Sequence, residues 1–473
     1  MVRITSITNA PRIWFAAAVM ALCAVPAHAI DLMAVWQAAQ AHDPQGAIAD
    51  AGRAAGAAYR AQAAALWRPT VELTASAGVA GASNHMRGAQ FSAPGFGQSN
   101  GVAFGTSIDA GTSTRWALSA RQPLYNPQRD AQREQLHINA GAADIAWQQA
   151  RQDWMLQTAQ RYFDGVMAEQ QWAVLRRQLV SVEKALVEAK DRYDLGDKPV
   201  TDLHESAARA RGLQAQLVAA ANEVQLARST LSDITGLAVE ALTLQAPSQA
   251  SAPRSSVLGD AQPSLLPLDH WLAWMSENNP ALKSRMAQVT LAEQEVKKLS
   301  LAASTTVDLV AQAGAERLGG SGDYGSARNQ QRQHMVGVVL TVPLYTGGLR
   351  TAKLQEALRM QDKARAEVEQ TRLQLVQSTR RAWLALQSGH ARLGALGEAL
   401  AASQSRLDAT RLGQTVGDRT TMDLLNAEND ASAAALALLQ VRVDLLLSRL
   451  RLDALAGQLG DAQLATVNSS LQP

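Results

Sequence analysis

The chain has 473 residues, 47% of them hydrophobic, 18% charged and 4% aromatic, with 44 Lys+Arg against 42 Asp+Glu. It is too apolar for a disordered chain, and its balanced charge leaves no basic footprint for nucleic acid. Alanine carries much of the apolar fraction, which favours helices that approach one another closely.

Residues 1–29 read as a secretory signal. Arg3 and Arg12 form a basic start, Ile13 to Val25 an apolar run, and Ala27-His28-Ala29 a small-x-small cleavage site. Cleavage leaves 444 residues from Ile30 with a formal charge of zero. The single cysteine, Cys23, lies inside the signal and follows Leu22, where a lipoprotein site takes a small residue. The mature chain then has no disulfide, thiolate nucleophile or zinc–thiolate site. No run of 18 apolar residues follows, so no transmembrane helix is expected and a membrane role falls to β-strands.

Beyond the signal the chain is duplicated. Pro44 and Thr70-Val71-Glu72-Leu73 recur as Pro280 and Thr306-Val307-Asp308-Leu309, both offset by 236. Pro123-Leu124-Tyr125 recurs as Pro343-Leu344-Tyr345 at offset 220, and Gly196, Asp202-Leu203 and Gly236 recur at offset 221. An ordered series at near-constant offset marks an internal duplication. The expected units are a first repeat over 30–241 (helix, strand, strand, long helix, helix), a proline-rich linker over 242–270, a second repeat over 271–459, and a C-terminal tail over 460–473.

After its first helix each repeat carries two strands. From Thr70 to Val79 apolar and polar residues alternate, and the same phase appears at 307–313, 115–124 and 336–344. Each pattern is about ten residues long, the length that crosses a bilayer when tilted. The glycine-rich segments between them, 78–111 with 8 Gly and 314–325 with 5, read as loops. Gly320 to Gly325 fits G-x-G-x-x-G, but a strand follows where dinucleotide binding requires a helix, so no cofactor is expected.

Helical sequence then runs from Asn126 to Asp194 and from Tyr345 to Leu412. At about 1.5 Å per residue each helix extends roughly 100 Å. Turns at 196–199 and 413–418 lead into shorter helices with heptad seams, Leu213-Leu217-Ala220-Val224-Ala227-Leu231 and Ala434-Leu438-Val441-Leu445-Ser448-Leu452. The last helix carries a second seam, Leu436-Leu439-Val443-Leu446-Leu450, as expected of a helix with a neighbour on each side. Four strands cannot close a barrel and an open edge cannot sit in lipid, so several chains must pool their strands; three would supply 12.

Leu407 to Ala427, with Val416-Gly417-Asp418-Arg419-Thr420-Thr421-Met422-Asp423-Leu424-Leu425, its counterpart Arg192 to Leu203, and Pro-Leu-Tyr-x-Gly-Gly at 343–348 carry a resemblance to the TolC family of outer-membrane channel-tunnels. The resemblance spans the mature chain. It implies a mainly α fold with a membrane β-barrel: a homotrimer whose 12-stranded β-barrel in outer-membrane lipid continues into a long periplasmic α-helical barrel. It also implies partnership with an inner-membrane ABC transporter and a periplasmic membrane-fusion adaptor. The missing lipoprotein cysteine is more like type I secretion exporters than acylated drug-efflux channels. Multidrug or metal efflux is the alternative, and a soluble periplasmic coiled-coil adaptor the rival class; the latter leaves the strands unexplained.

No catalytic motif is present. By resemblance, the periplasmic mouth is closed by links near the helical turns, at Thr201 and Asp202 in the first repeat and Gln414, Arg419, Asp423 and Asn426 in the second. Gln414 stands where the family's type member has Tyr, and Asn426 where it has a second Asp. Asp423 lies four residues after Arg419, which places both on one side of a helix start. A plainer reading stays open: Asp202 with Glu205, and Thr420 with Asp423, have the spacing of helix caps.

Overall fold

The structure, a computed structural model, describes residues 30–239 apart from 96, 197 and 198, then 242, 244, 246, 266–469 and 471. The expected signal segment and Cys23 lie outside the described residues.

Two short helices, α1 (Leu32–His42) and α2 (Pro44–Ala65), precede strands β1 (Thr70–Ala93) and β2 (Gly97–Tyr125), then α3 (Pro127–Asp194) and α4 (Val200–Thr235). The order repeats as α5 (Leu268–Asn278), α6 (Pro280–Ser300), β3 (Thr306–Gly322), β4 (Gly325–Thr341), α7 (Leu349–Thr415) and α8 (Thr421–Leu455), with α9 (Asp461–Ser469) at the end. The helix that opens each repeat is thus a broken pair. Pro44 and Pro280 stand at first helical positions, where the missing N–H costs nothing, and Asp43 and Asn279 cap them from the side chain.

The four strands form one antiparallel sheet in the order β1-β2-β3-β4, leaving β1 and β4 as open edges. The strands are longer than the alternation suggests, and the glycine-rich segments expected as loops are strand. Pairing runs on through Ala93↔Gly97 and Gly322↔Gly325, so only short turns separate the strands. Glycine is used here for close approach: Gly111 pairs with Gly320, and a Cβ on Gly320 would lie 2.6 Å from the Gly111 Cα. On β4, by contrast, pairing ends at Thr341, before Val342 and Leu344.

One face of the sheet is apolar and uncovered: Val71, Leu73, Val79, Trp116, Leu118, Val336, Val338 and Leu340 are all exposed, Val79 at 82%. The opposite face is polar and includes charges paired across strands, Arg115 with Glu316 and Arg121 with the buried Asp308. An apolar face backed by a polar one is the pattern of a membrane barrel.

Helix α8 is the centre of the packing. Its first seam places Val441, Leu445 and Leu452 against Trp271 of α5 and Leu386 of α7. Its second places Leu439, Val443 and Leu450 in a core with Trp154, Met155, Tyr162 and Phe163 of α3 and with α1; Leu446 packs against that core half-buried, and Leu447, outside the seam, is buried in it. Two seams with two neighbours account for its composition. One 18-residue window of α8 reaches a mean hydropathy of 1.5, enough by length and composition alone to cross a membrane, and 44% of that window is buried inside the protein.

The segment expected as a C-terminal tail is folded. Leu464, Val467 and Leu471 join the α1–α3 core, Trp36 Nε1 donates to Asp461 at 2.9 Å, and Asn468 Nδ2 donates to Asp31 at 2.8 Å. Within the segment expected as a linker, Leu242 and Leu244 are buried, Ile30 bridges Leu244 in parallel, and α5 already starts at Leu268.

Candidate functional site

The candidate site lies where the two helical hairpins turn, far from the sheet. Helices α3 and α7 have 68 and 67 residues. Each turn hinges on a glycine in the left-handed region, Gly196 at φ 80° and Gly417 at φ 86°. In the second hairpin the N–H of Gly417 donates to Gln414 O at 3.2 Å and that of Asp418 to Gly413 O at 2.9 Å, a Schellman closure of α7. A side chain at Gly417 would be strained by the backbone alone.

Helix α8 starts four residues later, at Thr421, with a complete capping box. Thr420 N donates to Asp423 Oδ2 at 3.0 Å, Thr420 Oγ1 donates to the same oxygen at 2.9 Å, and Asp423 N donates to Thr420 Oγ1 at 3.1 Å. These bonds hold the Asp423 carboxyl below the usual carboxylate range, with the field of Arg419 adding to them. Both bonds to the carboxylate fall on Oδ2. Asp423 is therefore an anion fixed at the helix start, with Oδ1 free of hydrogen bonds among the described residues.

Arg419 is not where helical spacing puts it. It precedes the cap residue Thr420 and so lies outside α8, its stem beside Gly413 and its side chain in no ion pair among the described residues. Asp202 occupies the third helical position of α4, the place Asp423 holds in α8. The residue before α4 is Pro199, which offers no side-chain cap. The D-x-x-E spacing of Asp202 and Glu205 thus misplaces the cap: Asp202 is inside the first turn, where the helix dipole favours an anion. Thr201 beside it is exposed.

Gln414 Nε2 donates to Thr421 Oγ1 at 3.4 Å, bridging α7 and α8 across their turn. Asn426 instead reaches the other hairpin, accepting from Arg209 Nη1 of α4 at 2.7 Å. One turn on, Gln178 Nε2 of α3 donates to Asn429 at 3.1 Å. Beneath these links Val182, Ala185, Ala210 and Leu425 form a small buried cluster. Ion pairs Arg406–Asp430 at 2.8 Å and Arg411–Glu428 at 3.6 Å brace α7 against α8. Sequence reasoning missed Arg209, Gln178 and Asn429, because a contact between hairpins leaves no periodic signal in either one.

The arrangement joins long helices by short polar links at their turns and sets an acidic group in the first turn of each returning helix. Among the described residues no three His, Cys, Asp or Glu side chains gather as metal ligands. The sequence profile described as "Outer membrane efflux protein" matches residues 35–237 and 271–458, one match in each repeat. The chain belongs to this family. The family's members are outer-membrane channel proteins, and this chain lies in the outer membrane with a large helical portion in the periplasm.

Similar proteins include the outer membrane efflux protein BepC of Brucella suis, 27% identical over 68% of this chain and 67% of that protein. The outer membrane protein TolC of Escherichia coli is 25% identical over 79% and 75% of the two chains. The proteases secretion protein PrtF of Dickeya chrysanthemi is 24% identical over 73% of each. Among solved structures, the outer membrane protein VceC of Vibrio cholerae superposes with a TM-score of 0.68 at 18% identity, covering 90% of this chain and 96% of that one. The fold is thus that of the TolC-like channels, with a family domain in each repeat.

Proposed function

We propose that the protein is the passive outer-membrane conduit of a tripartite export system, and that three copies form the channel. The observation that carries this reading is the sheet: four strands with both edges open and an uncovered apolar face, mounted on helices of 68 and 67 residues. Neither edge can be left unpaired in lipid, and three copies bring 12 strands to a closed barrel. The helical hairpins then close into a periplasmic tunnel that meets an inner-membrane ABC transporter through a membrane-fusion adaptor. Residues 1–29 direct export of the chain, and the repeats 30–241 and 271–459 contribute equal halves of each copy's wall.

The proposed cargo is protein, delivered by type I secretion, as in an adenylate cyclase toxin (cyclolysin) exporter. Relatives named for protease secretion in Dickeya chrysanthemi and Pseudomonas aeruginosa support this reading. A second reading, multidrug or metal efflux, is supported by the likeness to BepC, a relative named as an outer membrane efflux protein.

In the proposed gate, Asp423 and Asp202 supply negative charge at the periplasmic mouth. Arg419, Thr201 and Gln414 support the turns, and Asn426 ties the two hairpins of one chain through Arg209. Opening parts these hairpins.

The test is assembly of the signal-less protein purified in detergent. Cross-linking and light scattering are expected to give a trimer, and planar bilayers a stepwise conductance. A stable monomer in bilayers overturns the conduit. Co-purification with a secretion transporter rather than a drug pump separates the two cargo readings.

A further inference from the structure

The apolar outer face of β3 and β4 changes character toward the Asp323–Tyr324 turn. On β3 the residues of this face are Val307, Leu309, Ala311, Ala313 and Ala315, and the next is Arg317. On β4 the same face carries Leu340, Val338 and Val336, then His334, Arg332, Gln330 and Arg328. Register sets Arg317 opposite Gln330. Arg328 and Arg332 are therefore its two diagonal neighbours, about 7–8 Å away across the strands and within reach of side chains this long.

All three arginines are exposed, and none forms an ion pair with a carboxylate among the described residues. The acids of β3, Asp308 and Glu316, point to the opposite face and are held by Arg121 and Arg115, while β4 contains no acid at all. The outer face thus gathers three cations and offers them no internal counter-ion. Like charges this close repel, and the cluster is stabilised only by an external anion.

Position names the anion. The helices join the sheet at Thr70, Tyr125, Thr306 and Thr341, so the Asp323–Tyr324 turn marks the extracellular end. On the proposed conduit reading, on which this inference rests, the arginines sit on the lipid-facing side, directly outward of the apolar band. Groups at that height border the headgroups of the outer leaflet, and planar guanidinium groups match phosphate oxygens two at a time.

We propose that Arg317, Arg328 and Arg332 form a binding site on the outer wall of the barrel for the phosphate-bearing headgroup of an outer-leaflet glycolipid, whose acyl chains lie along Val336, Val338 and Leu340. The β4 edge is where one copy's sheet must meet the next, so a lipid held here also braces the seam between copies.

The test uses the whole protein purified in detergent, with bisphosphorylated lipid A as probe and native mass spectrometry and melting temperature as readouts. Wild-type protein is expected to retain lipid A and to melt higher in its presence. The triple variant Arg317→Gln/Arg328→Gln/Arg332→Gln is expected to bind it at least about tenfold more weakly, the loss of three exposed charge contacts. The corresponding Lys variant is expected to keep most of the binding, because the charge remains. A triple Gln variant of arginines on α7, Arg359, Arg372 and Arg392, is the control and is expected to bind as wild type. Should the triple Gln variant assemble poorly, Arg317→Gln alone is expected to weaken binding by a smaller factor. The proposal is overturned by undiminished lipid A binding in the outer-face variants. It is equally overturned if a dephosphorylated glycolipid binds as well as lipid A, or if inorganic phosphate at matched concentration raises the melting temperature as much.

Discussion

Asn426→Asp is the most informative single change at the tip. Asn426 accepts a hydrogen bond from Arg209 at 2.7 Å across the two hairpins of one chain. A carboxylate in the same place keeps that geometry and turns a neutral acceptor into an anionic one. The bond is exposed, with Asn426 open to solvent and Arg209 half-buried, so the gain is that of a surface ion pair, about 0.2–1 kcal/mol. At the upper end this biases the equilibrium between linked and parted hairpins by a factor of about 5 per chain. The expected result in planar bilayers is a lower mean conductance with ionic selectivity little changed, because Arg209 neutralises the new charge. Arg209→Gln is expected to raise conductance alone. The double variant is expected to gain cation selectivity, the new carboxylate now being unpaired. The coupling energy of this cycle measures the link. The reasoning is refuted if Asn426→Asp raises cation selectivity equally with and without Arg209, since the carboxylate then faces the lumen rather than the neighbouring hairpin.

Arg419→Ser is expected to raise conductance, and Asp423→Ala to reduce cation selectivity and block by divalent ions applied from the periplasmic side; if both leave the channel unchanged and lower only thermal stability, these residues are helix caps. The depressed carboxyl of Asp423 gives a pH dependence of definite sign. Its contribution is fully present above the ordinary carboxylate value of about 4 and is lost as pH falls through the lower folded value, so hydrogen exchange at 413–423 is expected to accelerate on acidification, an effect absent in Asp423→Asn. Leu450→Ala, at a fully buried position in the core shared by α1, α3 and α8, is expected to cost about 2–5 kcal/mol and to shorten the thermal-inactivation half-life of the assembled protein.

Much of the scaffold was legible because it is written in periods. The seams of α8 predict two neighbours, and Trp271 with Leu386 on one side and the aromatic cluster of α3 on the other are those neighbours. Alternation at 307–313 and 336–340 predicts the phase of β3 and β4, and register confirms it by setting Ala311 against Val336. Strand length was not legible. Glycine at 111, 319 and 320 reads as loop by composition, yet at Gly111 and Gly320 it is what lets adjacent backbones approach within the sheet. Nor was the ordered C-terminus legible, since Leu464 and Val467 show their purpose only beside α1.

The tip shows the limit in sharper form. T-x-x-D at Thr420–Asp423 announces a cap, and a cap is present, but capping consumes only one carboxylate oxygen. Asp202 holds the matching helical position with Pro199 before it and no cap to make. Duplication has thus kept an acid at the third position of both helices while keeping the capping partner in only one. The capping role seen at Asp423 is therefore not shared by Asp202. What the two positions share is the start of a helix at the end of a 68- or 67-residue lever, where a negative charge is near the helix dipole and far from the core. Negative charge at a helix start is the property common to both, and in the proposed gate it is on that property, rather than on the cap, that selectivity measurements at Asp202 and Asp423 should agree.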